Sequence, residues 1–492
     1  MCGICGFTGY RQDQKTVIER MMKAIEHRGP DSEGSFCREK ITLGFRRLSI
    51  IDLEDGQQPM ESADGNLHIV FNGEIYDYKE LRAELETFGI SFCTHSDTEV
   101  LINTIQQYGE KALDKLRGMF GFAVWNEQEQ SLMLARDFFG IKPVYYAEID
   151  GHFVFASEIK SILAFPGYER KVNQKALEQY LSFQYSPLEE TFFRGIYKLM
   201  PGHMLLYKNG SYEIKTYFKP KLTPGQWDHK TNMAQLRSQL SEILKDSVKH
   251  HMLSDVEVGA FLSGGVDSGY LASSSGADQA FTVGFDEGDR YSEVNKAAKV
   301  AEKAGLKHHV KIISKQEFWD ALPDVMYHMD EPLGDASAVA LYFLSKEAAG
   351  HVKVVLSGEG ADELFGGYNI YREPESLKKI AWIPFGVRRV IGKLAAKLPD
   401  VKGRDFLIRA GMKVEERFIG NAYIYCEKEK AQILKNKVTG PSTQEYLRPF
   451  FKELESENRG SLRDMEKMQS VDLSYWLPGD ILQKADKMSM AH

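Results

Sequence analysis

A chain of 492 residues exceeds a single domain of about 100 to 200 residues, and its 43% hydrophobic and 27% charged content is that of folded globular proteins. A net charge of −8 argues against a protein whose work is wrapping nucleic acid, which shows a basic face, and no apolar run reaches the roughly 18 residues that span a bilayer. The opening residues lack the basic and apolar regions of a signal peptide, and five scattered cysteines make a poor disulfide framework, so a cytoplasmic location with neither nucleic-acid nor membrane partners is expected.

The chain opens MCGICG, which admits three readings. Cys2 and Cys5 form a redox or metal-binding pair; or Cys5 fills the core beside an incidental Cys2; or Cys2 becomes the N-terminus, one residue carrying both a thiol and a free amine. Helical periodicity follows at 15–27 and 77–89. Three hairpins then stand out: apolar runs around a polar turn in 120–137, a pivot on Asp150-Gly151, and another on Asn209-Gly210. Sheets covered by helices fit this half better than an all-β barrel. The stretch 219–232, polar with two prolines and a glycine, reads as a linker. Beyond it, short buried-type strands at 256–262, 279–285, 308–313 and 352–358 alternate with helical patterns, which predicts a parallel sheet covered on both faces. From 373 onward the pattern is mainly helical, and 385–398 reads as a basic amphipathic helix packed on its own domain. The expected division is 2–217, a linker over 218–235, and 236–492.

The second half carries two loops with chemistry. Ser263-Gly264-Gly265-Val266-Asp267-Ser268 follows a strand, where glycines let backbone N–H groups approach an anion and a following helix turns its positive end to the same place. It lacks the Walker pattern. It resembles the pyrophosphate loop of ATP pyrophosphatases. Ser357, Gly358, Glu359, Asp362 and Glu363 follow another strand, at the end where open α/β sheets bind ligands. Acids beside a triphosphate repel it unless Mg²⁺ lies between, so Asp267 and Asp362 are candidate metal ligands; alternatively they are acids of a solvated first helical turn. The histidine pair at 308–309 is expected to be satisfied by packing.

MCGICG together with HRGPDSEG, RRLSIID, FNGEIYDYKELR, GMFGFAVWN and RDFFGIKPVYY resembles the glutaminase domain of class II glutamine amidotransferases. With the two downstream loops and YWLPGDILQKADKMSMAH, nearly the whole chain is similar to glutamine-hydrolysing asparagine synthetases. The resemblance implies an N-terminal-nucleophile αββα sandwich (α+β) followed by an α/β parallel-sheet ATP pyrophosphatase-type domain. It implies that Cys2 is the nucleophile, its α-amine acting as base, which suits a thiol of pKa about 8.5 beside an amine of about 7.7 to 8.0. Cys5 is then structural.

By the same resemblance glutamine lies along Arg47, Leu48, Ser49, Ile50 and Ile51, with Arg47 on its carboxylate and Glu74 and Asp97 on its ammonium. Asn72 and Gly73 stabilise the oxyanion. Without the resemblance, Asp97 would be the cap of the helix that follows it, and it can do both jobs. His27 and Arg28 are expected to be loop structure. ATP and pyrophosphate would contact Leu262, Ser263, Gly264, Gly265, Asp267, Ser268, Val283, Ser357 and Gly358, with Glu359 catalytic and Mg²⁺ on Asp267 and Asp362.

The implied reaction takes glutamine, aspartate and ATP to asparagine, AMP and pyrophosphate, with a shielded passage for ammonia; a homodimer is compatible with it. Family members continue past the final DKMSMAH, so a truncated synthetase domain is expected. Asp330, Glu331 and Asp335, between the two loops in chain order, are expected at the acceptor pocket. Rival readings are amidation of another carboxylate such as a diaminopimelate cell-wall precursor, a β-lactam-forming relative, a tRNA-modifying adenylase, and a non-catalytic sensor.

Overall fold

The computed structural model describes residues 2–222, 232–286, 293–435, 440–458 and 462–492; half of the expected linker lies outside them. The N-terminal half is two six-stranded sheets packed face to face. One runs in the spatial order Ile196–Lys198, Tyr145–Ile149, His152–Ala156, Gly3–Thr8, Ile41–Arg47, Ser32–Cys37. The other runs Ser211–Thr216, His203–Lys208, Ser131–Arg136, Gly118–Asn126, Leu67–Ile75, Met60–Glu61. All strand pairings within them are antiparallel.

The period of two along each strand decides the layers. In the first strand Ile4 points between the sheets, while Cys5 and Phe7 point outward against the helix Gln14–Lys23. In Leu67–Ile75, Val70 enters the inter-sheet core and Ile69 and Phe71 meet the helices Tyr78–Thr87 and Asp97–Tyr108. Apolar residues on both faces therefore produce helix, sheet, sheet, helix. Two hairpins turn as expected: Asp150 and Gly151 have φ of 49° and 79°, Asn209 and Gly210 of 53° and 77°. Left-handed residues at both central positions match the twist of the flanking strands.

The second half holds a four-stranded parallel sheet in the order Lys307–Ile313, Gln279–Phe285, Val258–Phe261, Val354–Leu356. Ala260, Leu262 and Ala280 face the helices Val266–Ser274 and Val294–Ala304, whose small buried residues let them approach closely. Phe261 and Phe281 face the helix Ser337–Ala349 on the other side. Because Val258–Phe261 and Val354–Leu356 are neighbours, the loops leaving their carboxyl ends lie side by side. The helix Phe385–Ala395 packs on Arg404–Ala410, where a side chain on Gly392 would meet the Leu407 carbonyl at 3.0 Å. A helical rod ends the chain: Asp464–Val471, a π-helical stretch Asp472–Ile481, and Leu482–Ser489.

Candidate active sites

Cys2 lies at the start of the central strand of its sheet, 9% exposed, and its backbone N–H donates to Asn72 Oδ1 at 2.9 Å. Its Sγ is 3.7 Å from the Leu48 carbonyl, and Arg28 Nε donates to the Cys2 carbonyl at 3.2 Å. Burial pushes the Cys2 thiol up, with the chain's positive terminus opposing. Asn72 is fully buried, and among the described residues its Nδ2 has no hydrogen-bond partner. A buried amide donor left unmatched costs about 1 to 3 kcal/mol, and this one belongs to the side chain whose oxygen holds the Cys2 N–H. Gly73 is needed for close packing, since a Cβ there would meet the Met119 carbonyl oxygen at 2.1 Å.

Two carboxylates complete this pocket. Glu74 is buried and its carboxyl is pushed up to about 7, first by burial and then by the charge of Asp97, against the pull of the chain terminus and Lys142. Asp97, also buried, is pushed up to about 6 by burial, although the N–H of Ile75 donates to its Oδ2 at 3.1 Å. The helix cap is Ser96, whose hydroxyl accepts from the Thr98 N–H at 3.0 Å, while the Asp97 carboxylate reaches across to the strand that carries Asn72 and Glu74.

The loop after Ile41–Arg47 closes the pocket from the other side. Arg47 donates to the carbonyls of Leu53, at 3.2 Å, and Asp52, so its guanidinium organises the turn it precedes. Ser49 N donates to Asp31 Oδ2, Ile50 is buried and its carbonyl accepts from Asp255 N at 3.0 Å, and Ile51 sits partly buried beside Arg47. This loop therefore touches both halves of the chain.

In the parallel-sheet half, Gly264 has a φ of 78° and a Cβ there would lie 2.8 Å from the Ala297 nitrogen, so only glycine fits. Ser263 and Ser268 close the loop hydroxyl to hydroxyl at 2.9 Å, and Gly265 caps the helix Val266–Ser274. Gly358 abuts it: a Cβ there would be 3.3 Å from Ser268 N and 3.5 Å from the Asp267 Cβ. The two loops thus form one cleft, with Ser357 exposed on its lip. Leu262 buries its side chain among alanines, its N–H donating to the Phe281 carbonyl at 2.9 Å and its carbonyl accepting from the Thr282 hydroxyl at 2.6 Å, and Val283 is half-buried in the neighbouring strand.

The acids of the cleft crowd one another. Burial raises the Asp362 carboxyl and the charge of Asp267 raises it further. Desolvation in the cleft also raises Glu359, with Glu363, Asp335 and Asp362 adding to the effect and Lys484 opposing it. A hard divalent cation would relieve this repulsion, and facing carboxylates suit Mg²⁺.

Some expected residues lie elsewhere. Asp330, at φ 64°, accepts from the N–H of Ile159 at 3.0 Å and pairs with Lys160 and Lys487. Glu331 accepts from Phe192 N at 2.8 Å. Glu331 is spent on the N-terminal half and Asp330 on both halves, and of the three only Asp335, paired with Lys484, adds its charge to that of Glu359. His308 is satisfied by Thr282 at 2.7 Å.

Sequence reading missed Arg28. It is fully buried, 2.8 Å from both Glu158 and Asp486, and Lys142 lies 3.0 Å from Asp486. These contacts hold Asp486 down to about 2 against burial. Its partners are 130 and 458 residues away, so no local pattern announces them.

Residues 1–218 match the family described as a glutamine amidotransferase domain, and residues 239–492 match asparagine synthase. A Bacillus subtilis asparagine synthetase (glutamine-hydrolysing) is 44% identical over 99% of this chain and 78% of its own length. A putative asparagine synthetase of Mycobacterium bovis is 37% identical over 100% and 79%, and one of Methanocaldococcus jannaschii 31% over 100% and 98%. Among solved structures, a glutamine phosphoribosylpyrophosphate amidotransferase from B. subtilis covers 63% of this chain and 65% of its own at 17% identity and a TM-score of 0.34. The chain belongs to the asparagine synthase family and is an ATP-dependent enzyme of glutamine-dependent asparagine synthesis.

Proposed function

We propose that the two sites divide the synthesis of asparagine as follows. At the first, Cys2 acts as nucleophile once it is the N-terminal residue. Its thiol proton passes to its own α-amine as sulfur bonds to the glutamine amide carbon. Asn72 Nδ2 and the Gly73 N–H receive the oxyanion, and such donors typically contribute about 3 to 4 kcal/mol to the barrier. The C–N bond breaks, the proton leaves with ammonia, and water hydrolyses the glutamyl thioester. Glu74 and Asp97 hold the substrate ammonium, and Arg47 with Leu48, Ser49, Ile50 and Ile51 holds the other end of the amino acid. The idle Asn72 Nδ2 beside Cys2 is the observation that carries this reading.

At the second site an aspartate side-chain oxygen attacks the α-phosphorus of ATP, pyrophosphate leaves, and ammonia displaces AMP from the acyl-adenylate. Ser263, Gly264, Gly265, Asp267 and Ser268 hold the pyrophosphate; Leu262, Val283, Ser357 and Gly358 lie along the adenosine, and Glu359 serves the adenylation and amination steps. Asp267 and Asp362 would hold Mg²⁺, which supplies charge neutralisation for the departing pyrophosphate. The units are residues 2–217 and 236–492, joined by 218–235.

Among the described residues no helix is long and apolar enough to cross a membrane. The free state of all five cysteines supports a reducing, cytoplasmic setting, and sedimentation tests the homodimer that belongs to the same reading.

Phosphorus NMR tests the assignment: turnover should yield AMP and pyrophosphate, with aspartate as acceptor. ADP and phosphate would overturn it, as would release with a diaminopimelate-containing precursor and none with aspartate.

A further inference from the structure

At the edge of the parallel sheet, His309, Glu347 and His351 place one ligand atom each within 4.8 Å of the others. His309 is the third residue of the edge strand Lys307–Ile313, Glu347 lies in the last turn of Ser337–Ala349, and His351 follows that helix. None of the three takes part in either site described above, which belong to the Cys2 pocket and to the carboxyl ends of the strands.

The surroundings decide which nitrogen of His309 is free. Gln279 donates through Nε2 to Glu257 Oε1 at 2.7 Å, which turns its carbonyl oxygen toward His309. That oxygen lies 2.8 Å from His309 Nε2, so Nε2 must carry the proton and Nδ1 keeps its lone pair. A second hydrogen bond that fixes the tautomer is the usual support of a ligating histidine. The ring is further held by stacking on Phe281, with centroids 5.0 Å apart and planes at 17°. His351 lies over His309 at 4.0 Å between centroids, and its Nε2 is 3.8 Å from Glu347 Oε1. Nitrogen and carboxylate ligands at about 2.0 to 2.2 Å from a tetrahedral zinc are about 3.3 Å apart. Glu347 and the exposed His351 are the side chains that would move to close the present spacing.

We propose that His309, Glu347 and His351 form a zinc-class metal site that clamps the helix Ser337–Ala349 to the edge strand. Two imidazoles and one carboxylate favour zinc, with nickel, cobalt or copper as surrogates, over magnesium or calcium. The fourth position is left to water.

The test uses the full chain stripped with chelator. Zinc is titrated against a chromophoric competitor, and cobalt is added separately to read its visible absorption. The expected result is one zinc equivalent held at micromolar Kd or tighter, weakened at least tenfold in both His351→Ala and Glu347→Gln. The cobalt spectrum should show nitrogen and oxygen ligation and should fade in both variants. Unchanged ATP-dependent pyrophosphate release in the variants would show that the unit carrying the site is folded. Equal zinc affinity in wild type and both variants would overturn the proposal, as would no zinc binding at 100-fold above micromolar or a cobalt spectrum dominated by thiolate charge transfer.

Discussion

Glu74 and Asp97 make the N-terminal half less stable than it need be, and the amount follows from their environment. Burial raises Glu74 from 4.5 to about 7. A carboxyl whose folded value lies above its unfolded one binds more protons when folded, so stability falls as pH rises from about 4.5 through about 7. At 1.36 kcal/mol per pH unit, the ionised side chain costs the empty protein about 3 kcal/mol at pH 8. Glu74→Gln removes the charge and keeps the shape. It should therefore stabilise the amidotransferase unit by about 3 kcal/mol at pH 8 and by under about 1 kcal/mol at pH 5. For a unit of this size that is a Tm increase of about 6 to 12 °C at pH 8.

In the proposed reading the same substitution also removes one anchor of the substrate ammonium. A hydrogen bond to a charged group contributes about 1.5 to 3 kcal/mol, so the glutamine KM should rise about 10- to 150-fold while kcat changes less. Thermal unfolding at the two pH values and glutaminase kinetics on one preparation check both halves. A variant no more stable than wild type at pH 8, or a gain independent of pH, would refute the reasoning.

Cys2→Ala should abolish glutamine-dependent asparagine formation and leave ammonia-dependent formation intact, and a fused N-terminal tag should do the same; coupled assays with each nitrogen source read it. Gly264→Ala forces a Cβ onto the backbone of Ala297 at a positive φ, so pyrophosphate release should be lost while glutamine hydrolysis continues. Asp486→Asn leaves the buried Arg28 and Lys142 short of a counter-charge, a loss of about 3 to 5 kcal/mol. Denaturant unfolding should register it, together with slower glutamine hydrolysis, because Arg28 also holds the Cys2 carbonyl.

What was legible in the sequence was what short-range chemistry dictates. Asp150-Gly151 and Asn209-Gly210 demand left-handed backbone, and both hairpins close there. Gly264 sits where backbone must pass close to backbone, so its loop could be read from six residues. Local reading misplaced one helix cap, where two neighbours compete for the same position: Ser96 takes the Thr98 N–H, and the Asp97 carboxylate reaches across to the Ile75 N–H. It failed again at Asp330 and Glu331, whose nearness in chain order to the nucleotide loops suggested a shared cleft. The left-handed turn at Asp330 aims both acids at Ile159 and Phe192 instead. Arg28 was illegible because its meaning lies entirely in partners supplied by distant segments.

Those distant partners put one element in contact with the surroundings of both sites. The helix Leu482–Ser489 places Lys484 on Asp335, beside Glu359, and places Asp486 on Arg28, which grips the Cys2 carbonyl. Lys487, between the two halves, pairs with Asp330. All three side chains are buried and none is more than three residues from the others, so the helix cannot shift at one end without disturbing ion pairs at the other. A buried charge pair holds poorly when stretched, since desolvation is already complete and only close geometry offsets it. The two pockets are thereby held in fixed relation by the same short helix, which is the arrangement that an enzyme moving ammonia from one to the other requires, because ammonia escaping into water becomes ammonium and stops being a nucleophile.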